Sequence, residues 1–170
     1  MDTRAVHDEL ERARATFHEL LALATENELR SRSAGTRWTN RQLLFHMLLG
    51  FLIMRALLAL ARGFSRLPRG FGRGFARVLN AGTRPFDVAN YLGSWLGGTF
   101  LPLHTMDVLC DRTIARLHRR LDRERDLSRG MHYPTRWDPF FQDFMTLGDL
   151  YRFPVRHFDF HRRQLTLTRA

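Results

Sequence analysis

The chain has 170 residues, 44% of them hydrophobic, which fits one globular domain over residues 1–170 and excludes a disordered chain. The formal net charge is +10 and every one of the 27 basic residues is arginine, an excess that speaks to solubility and anion contact and not to fold. A single cysteine, Cys110, excludes an intramolecular disulfide and a cysteine-based zinc cluster, and it suits a reducing cytoplasm.

The first predicted helix covers residues 3–30. Val6, Leu10, Ala13, Phe17, Leu20 and Ala24 recur at spacings of three and four, the mark of one apolar face. The other face carries Glu9, Glu11, Arg12, Arg14 and Glu19 as solvated surface. This charged beginning lacks the apolar stretch of a signal peptide.

The second helix opens on a capping box, with Thr39 as N-cap and Gln42 at N3. Trp38 and Leu43 occupy the two positions of a hydrophobic staple. The helix runs to about Arg62. Residues 43–61 are apolar enough to suggest a membrane span, but His46 and Arg55 interrupt them, and charge in mid-bilayer is costly. A helix that is apolar all round is expected at the buried centre of a bundle.

Residues 63–100 change character. Arg-Gly-Phe occurs three times in and around this segment, and no acidic residue lies between Glu28 and Asp87. The segment is expected to be a long basic crossover, in which Leu67, Phe71, Phe75, Val78 and Leu79 form a short amphipathic helix. Contact with an anionic membrane surface is an alternative reading, and nucleic acid contact through the Arg-Gly repeats is not expected.

A third helix is predicted over residues 101–125, where Leu103, Met106, Cys110, Ile114, Leu117 and Leu121 share a face. Cys110 therefore reads as a small core residue and not a nucleophile. An aromatic, turn-rich loop follows. The last helix starts at the Thr146–Asp149 capping box and runs to about Leu167, with Pro154 inside it as an expected kink. Four helices with one long crossover give an all-α four-helix bundle. No alternating run suggests a sheet.

Of eight histidines, His7, His18 and His118 are expected at the surface. His157 and His161 stand four residues apart on one face of the last helix. His46 sits in the most apolar helix, flanked by Leu44, Phe45, Met47, Leu48 and Leu49. Gly50, one turn on, leaves room beside its ring. Both a buried histidine and an HxxxH pair need a polar partner, and one ion serves all three. Three neutral imidazoles make an open site for zinc, nickel or a similar divalent ion. Asp107, Asp111 and Gln164 are candidates to orient the rings. Asp159 points off the shared face, and Phe158 and Phe160 read as packing residues.

Two segments carry a resemblance to a known family: "WTNRQLLFH", with Trp38, Thr39 and His46, and "HFDFHRRQL", with His157 and His161. The chain resembles the DinB-like superfamily of metal-binding bundles, also described as DinB/YfiT-type. The resemblance implies a four-helix bundle with up-down-down-up connectivity and a long crossover between its second and third helices. It implies a divalent metal, zinc or nickel, on His46, His157 and His161, and a bacterial homodimer. It also implies a thiol-dependent transferase or isomerase acting on a small-molecule substrate with a low-molecular-weight thiol. Arg41, Arg152 and Arg156 are candidates to hold that thiol's carboxylates. The alternative is a non-enzymatic stress or interaction protein with a structural or vestigial metal, meeting its partner through residues 63–100. The long Arg/Gly-rich insert and Pro154 depart from the family pattern and bear on the substrate class.

Overall fold

A computed structural model describes residues 3–64 and 69–168 of the chain. Helix takes up 72% of it, in seven helices with little sheet. The elements in chain order are α1 (Thr3–Leu23), α2 (Glu26–Arg30), α3 (Asn40–Phe64), α4 (Arg69–Ala81), α5 (Thr83–Phe100), α6 (Leu103–Leu121), β1 (Gly130–His132), β2 (Phe144–Thr146) and α7 (Leu147–Arg162).

α1, α3, α6 and α7 supply most of the hydrophobic core, and α5, with 18 residues against the 16 of α7, packs on α3. α1 packs on α6 and α7, and α3 packs on the same two. Their facing stripes form one core, from Val6, Leu10 and Phe17 through Leu44, Met47 and Leu48 to Met106, Ile114 and Phe158. Phe158 stands edge-on between Phe17 of α1 and Phe51 of α3, which fixes the rotation of α7. On the neighbouring face, Asp159 accepts from Nη1 and Nη2 of Arg12, at 3.0 and 2.8 Å. Cys110 is buried in the core.

α3 is long and apolar enough to cross a membrane, with a mean hydropathy of 2.2 in its most apolar window, yet 61% of that window is buried inside the fold. The helix begins as its sequence predicts. Thr39 N–H donates to Gln42 Oε1 at 3.1 Å, and Gln42 N–H returns a bond to Thr39 Oγ1 at 3.4 Å.

Several expectations need correction. The first helix ends at Leu23, because Thr25 starts a second capping box with Glu28 and turns the chain into the short α2. That signal, Thr-x-x-Glu, is visible in the sequence. The 63–100 segment holds two helices, and α5 lies directly against α3. The approach is so close that a Cβ on Gly98 would stand 2.4 Å from Gln42 Cα. Leu67, expected in the amphipathic helix, lies outside the described residues. A two-stranded antiparallel ladder with Met131 opposite Met145 closes the aromatic loop. Pro154 lies inside α7 as expected, and the helix ends at Arg162 and not at Leu167.

His7, His18 and His118 are not free surface groups. They form a polar seam between α1 and α6. His18 sits between Asp107 and Asp111, His118 Nε2 is 2.7 Å from Glu11 Oε1, and His7 Nε2 is 3.0 Å from Asp122 Oδ1.

Candidate metal centre

The fold brings His46 of α3 together with His157 and His161 of α7. One ligand atom from each lies within 4.8 Å of the others. The pairing of α3 with α7 creates this meeting, and the four-residue spacing of the α7 pair aligns both rings toward α3. His46 and His157 are buried, and His161 is half-buried.

Gly50 makes the meeting possible. A Cβ there would stand 2.8 Å from His157 Nδ1 and 3.2 Å from its Cε1. Any larger residue would push the ring off α3. Trp38 stacks on the other side of the site, its ring 4.4 Å from that of His46.

Hydrogen bonding fixes the protons. Ser94 of α5 donates its one hydroxyl proton to the Asn90 carbonyl at 2.7 Å. With its proton committed there, Ser94 Oγ accepts from His46 Nδ1, 3.0 Å away, in the tautomer that frees His46 Nε2. Gln164 Oε1 accepts from His161 Nδ1 at 2.6 Å. Both Nε2 atoms therefore carry lone pairs, and they face each other at 3.2 Å. No hydrogen bond can form between two acceptors.

Burial keeps these rings neutral. It pushes His46 down to about 3, with nearby His161 adding to the effect. His157 is lowered well below the usual histidine range by burial and then by His46 and His161. Burial also lowers His161, against the opposing bond to Gln164. His157 adds an orphan: its Nδ1 is buried without a hydrogen-bond partner. Its Nε2 lies 3.7 Å from Asp138 Oδ2, beyond hydrogen-bond reach. Three neutral imidazoles, two with their lone pairs converging, fit a divalent cation.

Of the predicted orienting residues, Gln164 reaches the site, while Asp107 and Asp111 serve His18 instead. Of the three predicted arginines, two are engaged elsewhere and one faces solvent. Arg41 donates to the Leu101 carbonyl at 2.9 Å. Arg152 Nε lies 3.6 Å from Glu9 Oε1 of α1. Arg156 is exposed.

The sequence reading missed Ser94, which lies in the segment taken for a crossover, and Asp138, which lies in the aromatic loop. It also missed Arg37. That arginine lines an open cleft of about 310 Å³ on the His161 side, together with Trp38, Asn90 and Tyr91. No local motif marks any of the three.

A family model described as the DinB superfamily matches residues 9–165 of the chain. No curated protein and no solved structure matches it.

Proposed function

The chain belongs to the DinB superfamily, and on that premise we propose that it binds a divalent metal through His46, His157 and His161 and acts on a small molecule at the metal's open position. The observation that carries this reading is the pair of lone-pair nitrogens, His46 Nε2 and His161 Nε2, facing each other at 3.2 Å. A cation between them turns a repulsive contact into a bonding one. Ser94 and Gln164 hold the two rings in the ligating tautomer. Trp38 and the apolar walls of α3 shield the site from water on one side.

Thiol S-transfer is the chemistry we favour, in an up-down-down-up bundle in the cytoplasm. A bound zinc or nickel ion supplies a lowered thiol pKa, so that a thiolate nucleophile exists at neutral pH. The cleft beside His161 gives a low-molecular-weight thiol a way in. Arg37 is placed to meet its carboxylates there. The test is to add such thiols to cobalt-loaded protein. A sulfur-to-cobalt charge-transfer band supports the reading, and its absence with every thiol tried removes thiol chemistry while leaving the metal site.

A second reading, interaction through residues 63–100, is favoured by the outer faces of α4 and α5. Phe71, Val78, Val88, Leu92, Leu96 and Phe100 are all exposed there. A homodimer or another partner would cover them. Light scattering on the intact chain and on a Leu92→Glu, Leu96→Glu variant tests it: loss of assembly supports the reading, and a monomer in both removes the homodimer.

A further inference from the structure

Beside the triad lies a cavity of about 30 Å³, room for roughly one water molecule. His46, His157, Asn90 and Asp138 line its polar part, and Asp138 is the one acid among the described residues around it. Its carboxylate is mostly buried, 14% exposed. One oxygen is fixed: Oδ1 accepts the Phe140 N–H at 2.8 Å. The other, Oδ2, looks across the cavity at His157 Nε2 from 3.7 Å. No arginine pairs with Asp138 among the described residues.

This placement is built by the segment read as a crossover. Trp137, next to Asp138, stacks on Phe86 of α5 with ring centres 4.0 Å apart. Its indole N–H donates to the Leu79 carbonyl of α4 at 2.8 Å. Arg136 N–H donates to Asn80 Oδ1 at 3.1 Å. Two helices thus grip the two loop residues that lead directly into Asp138.

Two facts are unsatisfied together. A buried carboxylate has no cationic partner, and a buried imidazole has no hydrogen-bond partner on Nδ1. Burying either costs free energy unless it is compensated. A dication held by three neutral rings has the converse problem, since its charge is buried without an anion. The geometry points to Asp138 as a fourth member of the metal site, an anionic group that faces the bound cation from the cavity side and strengthens its binding. This inference rests on the metal reading above.

The test is a chelator-competition titration of the full chain with Co²⁺, comparing wild type with Asp138→Asn. Asparagine keeps an oxygen for the Phe140 amide and removes only the charge. We expect a loss of metal affinity of about 10–100-fold and a shifted cobalt visible spectrum. Asp143→Asn, which alters an exposed carboxylate of the same loop that pairs with His132, is expected to bind Co²⁺ as wild type does. Unchanged affinity and spectrum in Asp138→Asn overturn the inference while the metal site stands. An equal loss in Asp143→Asn also overturns it, by showing a diffuse charge effect. No Co²⁺ binding in wild type overturns the metal reading itself. If Asp138→Asn does not fold, Asp138→Ser keeps an acceptor for Phe140 and carries the same expectations.

Discussion

His46 Nε2 and His161 Nε2 face each other at 3.2 Å with no proton between them, because each ring has committed its proton to a neighbour on the other side. The two helices that carry them, α3 and α7, are packed together by the hydrophobic core. Core packing therefore holds the two lone pairs in opposition, and a cation is the species that relieves it.

Ser94 acts on this arrangement through His46. Ser94→Ala removes the acceptor that keeps the proton on Nδ1. The expected outcome is metal affinity lower by about 10–100-fold with an unchanged far-UV circular dichroism spectrum. Wild-type affinity in this variant would show that the tautomer is set by something else.

Gly50→Ala places a methyl group 2.8 Å from His157 Nδ1. The ring must shift, and α7 is too tightly packed by Phe158 to follow freely. We expect a loss of stability of about 1–3 kcal/mol from overpacking, together with weakened metal binding. Thermal denaturation and a metal titration measure the two effects. Retention of both contradicts the close approach of α3 and His157.

The pH dependence of metal-free protein follows from the neutral rings. His46 falls from its ordinary 6.5 to about 3 in the folded state, and His157 and His161 shift the same way. Below pH 6.5 the unfolded chain binds more protons than the folded one, so stability is lost as pH falls from about 6.5 toward 3. Asp138, pushed up to about 6 by burial, opposes this between about pH 6 and 4, one group against three. Urea midpoints at pH 7 and pH 4.5 measure the net fall. A His46→Gln variant is expected to show a flatter profile, and an equally steep one would place the dependence elsewhere.

Cys110 belongs to the core and not to the chemistry. It is 2% exposed, and burial pushes its thiol up to about 12. A thiol reagent at pH 8 is expected to label it only after unfolding. Rapid labelling of native protein would contradict its burial.

Much of this site was legible in the sequence, and the reason is local periodicity. His157 and His161 share a face by spacing alone, and Gln164 lies three residues beyond His161, within its reach. His46 announced itself by its apolar neighbours and by Gly50. Ser94 and Asp138 were not legible, because nothing near them in the chain marks their role. Ser94 reaches His46 only because α5 folds back onto α3. Asp138 reaches the cavity only because α4 and α5 hold Trp137. Asp107 and Asp111 were plausible on the same local logic and failed for the complementary reason. They lie on the α6 face that meets α1, where His18 takes them up. Likewise α5 was hidden behind the Gly- and Arg-rich run that precedes it, although its own glycines are what let it approach α3.

The central claim is that three histidines form one divalent metal site. Elemental analysis of the purified chain, alongside His157→Ala, tests it most directly. The account predicts about one divalent ion per wild-type chain, as for a single three-histidine centre, and none in the variant. A full complement of metal in His157→Ala, or wild-type protein that takes up no divalent ion when offered zinc, nickel or cobalt, would contradict it.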